Sequence, residues 1–140
     1  MTMKKQPLPS TAALGRKVTR FTQFDTFKTP KGVHRVTCIS DEVTANCPVT
    51  NQPDWYKVEI EYQPSELCVE SKSLKLYLQH FRNQGHFCEK FASIIAHDIQ
   101  KALAAHHVHV QVTQKARGGV SIVACASADT SKARAFMDYI

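Results

Sequence analysis

The chain has 140 residues, 43% of them hydrophobic and 21% charged, and a net charge of +6. That is the length of one domain with a sizeable core and the composition of an ordinary soluble globular protein. No apolar run approaches the roughly 20 residues of a membrane span. The start, MTMKKQPLPSTAALGRKVTRF, is basic but lacks an apolar h-region, so neither a membrane nor a secreted protein is expected.

The five cysteines, Cys38, Cys47, Cys68, Cys88 and Cys125, are odd in number and widely spaced. This pattern suits free thiols in a reducing cytoplasm rather than a disulfide framework. The charge is unevenly placed. Residues 1–32 carry seven basic side chains against Asp25 alone, whereas residues 33–140 carry 11 basic and 11 acidic ones. The excess therefore belongs to a basic N-terminal arm and lead-in segment, 1–32, ahead of a neutral single domain, 33–140. A neutral body disfavours nucleic-acid binding as the main task.

The first 30 residues contain Pro7, Pro9, Gly15 and Pro30 with weak periodicity, which predicts arm and loop with at most one short strand. VHRVTCI, Val33–Ile39, predicts a strand, and SDEVTANCPVTNQPD after it predicts a loop. In WYKVEIEYQP, Tyr56, Val58, Ile60 and Tyr62 alternate with charged residues, the pattern of a half-buried strand. SKSLKLYLQHFRNQ repeats Leu74, Tyr77, Leu78 and Phe81 at helical spacing until Gly85. A second helical stripe runs through Phe87, Phe91, Ile94, Ile95, Ile99 and Leu103. HVHVQVTQ and VSIVACA predict two strands joined by the turn Ala116–Gly119. Two strands, two helices and two strands predict an α+β fold: a four-stranded antiparallel sheet with both helices on one face. Such a sheet leaves a bare face and two edges, which oligomerisation would cover.

No Gly-rich dinucleotide loop, no HExxH and no CxxC pair occurs, so the strong nucleotide and zinc signatures are absent. Cys47 stands between Asn46 and Pro48 in a polar, turn-rich stretch, with Asp54 seven residues on. It could be a buried small hydrophobe, half of a disulfide, a metal ligand or a nucleophile. Local polarity and the missing pairs leave a nucleophile, with Asp54 as acid or base, standing against an inert loop thiol. Glu70, Ser71, Lys72 and Ser73 lie at a strand-to-helix junction. Ser71 or Ser73 suits an N-cap. The cations Lys72 and Lys75 oppose the helix dipole there but would suit a phosphate. Glu89, in the first turn of the second helix, either complements the dipole or accepts N–H donors from a heterocycle. His86 with Cys88, and His107 with His109, are weak metal pairs. Arg117 could reach an anion from its turn.

Together, Cys47-Pro48 with Gln52-Pro53-Asp54, the run Val69-Glu-Ser-Lys-Ser-Leu-Lys-Leu-Tyr77, Phe81-Arg-Asn83, Phe87-Cys-Glu89 and Arg117-Gly-Gly119 resemble the single-domain 7-cyano-7-deazaguanine reductases, the QueF family. The resemblance covers about residues 33–125. It implies a tunnelling fold (T-fold), whose subunits join their sheets into a barrel with active sites between subunits. It implies reduction of a nitrile to a primary amine with two NADPH, in queuosine (tRNA modification) biosynthesis, by a metal-free homo-oligomer. Cys47 would add to the nitrile as a thioimide and Asp54 would move protons. Val69, Glu70, Ser71, Cys88 and Glu89 would hold the substrate. Ser71, Lys72, Arg117 and Gly118 would hold NADPH, with side-chain cations in place of a glycine loop. One position differs: Cys88 stands where the family pattern has histidine. His86 could take that place only from outside the helix. The competing readings are a T-fold enzyme that forms an amide or amidine from the same nitrile, a zinc cyclohydrolase, and a nucleic-acid module using the basic arm.

Overall fold

The computed structural model describes residues 19–130. Residues 1–18, most of the expected basic arm, lie outside the described residues. The elements in chain order are β1 Thr26–Lys28, β2 Val36–Asn46, β3 Pro53–Gln63, β4 Leu67–Val69, α1 Ser71–His80, a 3-10 turn Phe81–Asn83, α2 Cys88–Leu103, β5 His107–Arg117 and β6 Val120–Asp129. The main sheet has the order β2-β3-β5-β6, antiparallel throughout, and β1 pairs separately with β4. The fold is α+β, as the element order predicts.

Burial follows the two periods. Tyr56, Val58, Ile60 and Tyr62 of β3 and Val108, Val110 and Val112 of β5 point inward and are at most 1% exposed. Their neighbours in sequence, such as Lys57 and Glu59, face the bare side, where they lie 3.7 Å apart. Phe91, Ile95, Ile99 and Leu103 of α2 close over this surface, and α2 lies on β5 and β6. Leu74, Tyr77, Leu78 and Phe81 form the buried stripe of α1 and its 3-10 turn. Phe21 meets the Tyr77 ring edge-on at 5.2 Å, and Phe24 meets it at a tilt at 4.5 Å.

The predicted loop from Ser40 to Asp54 is mostly strand. β2 continues to Asn46 and β3 starts at Pro53, so only residues 47–52 connect them. Pairing overrides the polar sequence: Val43 and Ala45 are buried opposite Tyr56 and Asp54, and an irregularity between Ser40 and Val43 restores the inward phase after exposed Asp41 and Glu42. Phe87 leaves the predicted stripe. It precedes α2, in extended backbone, and is 61% exposed.

Glu70, not Ser71 or Ser73, caps α1. Its carboxylate accepts the N–H groups of Lys72 and Ser73 at 2.8 and 2.9 Å. The Ser73 hydroxyl instead donates to the Glu70 carbonyl and accepts the Asp25 N–H, both at 2.9 Å. Gly118 and Gly119, at φ +59 and +80, turn β5 into β6, as the paired glycines predict.

Phe91 joins the layers, meeting Tyr56 and Phe81 edge-on at 5.0 and 4.8 Å with no exposure. Phe91→Ala should cost about 3–5 kcal/mol of unfolding free energy, read as a shifted midpoint in urea denaturation.

Candidate active site

The β2–β3 connection carries Cys47 at its first position. The Cys47 N–H donates to the Gln52 carbonyl at 2.8 Å and the Asn51 N–H to the Cys47 carbonyl at 2.9 Å, closing the loop on itself. Asn51 makes the reversal at φ 57, a left-handed conformation that asparagine tolerates better than most side chains. Cys47 as a residue is half-buried. The Thr50 hydroxyl, then the Thr50 and Val49 backbone N–H groups, stabilise its thiolate and hold it below the usual thiol value. The thiolate is the nucleophilic form.

Asp54, the second residue of β3, faces inward and is 3% exposed. A buried carboxylate needs a partner, and Arg117 at the end of β5 supplies it. One guanidinium nitrogen donates to Asp54 Oδ1 and the other to Gln52 Oε1 at 3.1 Å. Gln52 thus ties the Cys47 loop to Arg117 through both backbone and side chain. Arg117, expected on a cofactor, holds the expected acid within this single chain.

The segment before α2 packs beneath the same loop. The Asn46 N–H donates to the Gln84 carbonyl at 2.9 Å, and a Cβ on Gly85 would stand 3.3 Å from Pro48 Cα. Only glycine permits this approach without displacing Pro48. Cys88 opens α2 and is buried, its sulfur 3.6 Å from the Val112 carbonyl oxygen. Burial pushes its thiol up. Glu89 beside it is exposed in the first helical turn. His86 does lie outside the helix, but its Nε2 pairs with Gln84 Oε1 at 2.9 Å and its ring stacks over Phe91. Tyr56, two residues after Asp54 on the same face, brings a fully buried hydroxyl with no hydrogen-bond partner among the described residues. Such an orphan costs about 1–3 kcal/mol. Burial first, then the nearby Asp54 charge, push its phenol up, so it stays a neutral donor.

Val69, Glu70, Ser71 and Lys72 lie elsewhere. The Val69 N–H donates to the Tyr62 hydroxyl at 3.1 Å, and the Glu70 carboxylate caps α1. The other end of α1 leads through the 3-10 turn to Gln84, which meets the Cys47 loop. Ten helical residues span roughly 15 Å, so the two groups of candidates sit at opposite ends of α1. Between them a groove of about 770 Å³ follows the outer edge of β2, lined by Val43, Trp55, Ser71, Leu74, Lys75 and Arg82 among others.

The family described as QueF-like protein matches residues 53–133. The chain belongs to this family. It is 46% identical over 83 residues to the NADPH-dependent 7-cyano-7-deazaguanine reductase of Frankia casuarinae, covering 59% of this chain and 66% of that protein. It is 43% identical over 93 residues to the enzyme of the same name from Exiguobacterium sibiricum, covering 66% and 57%. With that from an Anaeromyxobacter species it shares 41% over 103 residues, covering 72% and 84%. The chain therefore spans just under two thirds, or less, of the first two relatives and more of the third. A crystal structure of the archaeosine synthase QueF-Like in the apo form superposes with a TM-score of 0.66 at 20% identity, over 70% of this chain and 96% of that one. This last likeness is one of fold.

Within this QueF-like chain, one set of expected residues comes together: Cys47, Asp54, Cys88, Glu89, Arg117 and the turn glycine Gly118. Val69, Glu70, Ser71 and Lys72 form the other. The histidines weighed as weak metal pairs meet other partners. His107 pairs with Asp129 and His109 with Ser127, and no group of three or more potential ligands occurs among the described residues. Thr50, Gly85 and the Tyr56 hydroxyl carry no site role in the sequence reading, and Gln52 enters it only as part of the Gln52-Pro53-Asp54 motif. Their nearness to Cys47 or Asp54 in the chain is a signal, but turn residues and a core stripe explain them equally well. Thr50→Val should move the pH midpoint of Cys47 alkylation by iodoacetamide upward, because it removes the side-chain donor that lowers the thiol. At a fixed pH below that midpoint the variant should react more slowly, as mass mapping of the labelled peptide would show.

Proposed function

We propose that this chain reduces the nitrile of 7-cyano-7-deazaguanine to the amine of 7-aminomethyl-7-deazaguanine with NADPH, in the cytoplasm, as a step of queuosine biosynthesis. The observation that carries this reading is the loop thiol: half-buried Cys47, with donors favouring its thiolate, on a hairpin that starts its return strand with buried Asp54. The names of the relatives supply the electrophile that such a pair would attack.

Cys47 Sγ adds to the nitrile carbon, one C–N π pair moves to nitrogen, and Asp54 takes the proton of the Cys47 thiol and passes it to that nitrogen. The result is a thioimide on Cys47. Nitrile and amine differ by four electrons, so two NADPH, when bound, supply one hydride each. Between the two reductions the C–S bond breaks and Cys47 leaves as the thiolate that its loop donors favour. Asp54 stays within reach for the remaining proton transfers.

The donor set suits an anionic dinucleotide without a glycine-rich loop. Lys72 and Arg117 bring cations and Ser71 a hydroxyl, the Arg117 side chain is 40% exposed, and open space surrounds the Gly118–Gly119 turn. Glu70 and Glu89 would accept the N–H donors of the deazapurine. Capping occupies two of roughly four acceptor positions on the Glu70 carboxylate, which leaves it able to do so.

The two clusters lie at opposite ends of α1, a separation that a site shared between two chains would remove. This supports the T-fold reading, in which subunits extend one sheet into a barrel. Among the described residues β2 and β6 are the outer strands of the sheet, and Ile39, Trp55 and Val123 are 61%, 52% and 56% exposed. Unpaired edges and bare apolar side chains favour association.

Mixing the protein with the nitrile and no NADPH should raise its intact mass by one substrate. Cys47→Ala should abolish that adduct, and an adduct persisting in the variant would refute Cys47 as nucleophile. Asp54→Asn should slow nitrile-dependent NADPH oxidation by about a hundredfold or more. Coexpressed Cys47→Ala and Glu70→Gln chains should recover part of the activity that each homogeneous variant lacks. Absence of any recovery would place both clusters of a working site on one chain.

A further inference from the structure

Among the described residues, the Tyr56 hydroxyl is the buried side-chain polar atom left without a hydrogen bond. Its ring is not loosely held. It has no exposure, meets Phe91 edge-on at 5.0 Å, and sits on a backbone paired to Val43 and Gln114. A phenylalanine would keep that packing and bury no orphan oxygen. Buried hydroxyls are nearly always satisfied, so an unsatisfied one needs a reason. Its surroundings offer one. Beyond burial, the groups whose charge the phenol feels are Asp54, Cys88, Cys47 and Arg117, the cluster described above.

Asp54 and Tyr56 are two apart on β3 and share a face, roughly 7 Å from Cα to Cα. Arg117 holds the Asp54 carboxylate through its Oδ1 oxygen. Arg117 is also the cation that a bound anionic dinucleotide would attract. If it moves to that anion, a buried carboxylate is stranded beside a neutral phenolic donor. Cys88 is a poor substitute, because a thiol is a weak donor and its sulfur already faces the carbonyls of Val112 and Ile122.

Resting on the proposed nitrile chemistry, we propose that Tyr56 is a positioning residue: its hydroxyl donates to the Asp54 carboxylate when Arg117 is drawn away. Among the described residues the hydroxyl has no partner at rest, while Arg117 fixes the carboxylate it would serve. Asp54 then keeps its place beside Cys47 while it moves protons.

Tyr56→Phe in the full chain tests this, since it removes one oxygen and keeps the ring. Thermal unfolding without ligand should give a midpoint equal to or above that of the wild type. Nitrile-dependent NADPH oxidation should lose about tenfold in kcat, the effect of one hydrogen bond made only in the working complex. The KM for the nitrile should move far less. Equal kcat in the two proteins would overturn the proposal. So would a lowered unfolding midpoint, because the hydroxyl would then have a partner in the resting chain. If the wild type neither forms an adduct nor oxidises NADPH with the nitrile, the proposed function fails and this inference fails with it. An active wild type with an equally active variant would remove only the role of Tyr56.

Discussion

The alternation of β3 places a carboxylate indoors, and the site follows from that. In a strand every second side chain faces the same way. The register that buries Tyr56, Val58, Ile60 and Tyr62 under the helices buries Asp54 with them. A one-residue slip would release Asp54 to water and expose four large side chains, so the core fixes the position of the charge. An inward carboxylate must then be answered, and the end of the neighbouring strand β5 answers it with Arg117. The hairpin loop is tied in by the same cation through Gln52. Cys47 therefore owes its place to the packing of β3 as much as to its own loop.

The chain separates rigid support from exposed chemistry. Asp54 and Tyr56 stand on the strand beside the core, whereas Cys47 stands on a loop with its own hydrogen-bonded frame. A nucleophile needs partial exposure and local donors, and a six-residue loop supplies both. Gly85 draws the pre-α2 segment against Pro48, so the start of α2 is registered to the loop rather than floating beside it. The N-terminal end of α2 brings Glu89 there, where a carboxylate also complements the helix dipole.

Strand and helix periods were legible wherever burial was one-sided. The stripes of β3, β5, α1 and α2 could be read from residue spacing because each element faces one core. β2 was half missed: its second part, Ser-Asp-Glu-Val-Thr-Ala-Asn, is polar on an edge strand, and only its pairing partner across the sheet reveals it. The cap of α1 was misassigned because serine is the commoner cap, while the longer Glu70 side chain reaches both free N–H groups. The Arg117–Asp54 contact spans 63 positions and carries no local signal. Tyr56 was hidden by its own regularity. A tyrosine in a hydrophobic stripe looks like packing, and only the unanswered oxygen distinguishes it.

Arg117 is the residue on which the two proposed tasks converge. A guanidinium has five N–H donors in a planar fork, and the resting chain directs one nitrogen to Asp54 and another to Gln52. With 40% of the side chain exposed, it can still meet an anion from solvent. A phosphate would compete with Asp54 for the same charge, so cofactor capture and release of the acid are opposing uses of one side chain. Lysine could not divide itself this way, because its point charge lacks the fork. The coupling has a direction. On the proposed reading, an anion held at the β5–β6 turn would draw positive charge away from the carboxylate proposed to handle a proton, and so would tie readiness for chemistry to occupancy of the turn.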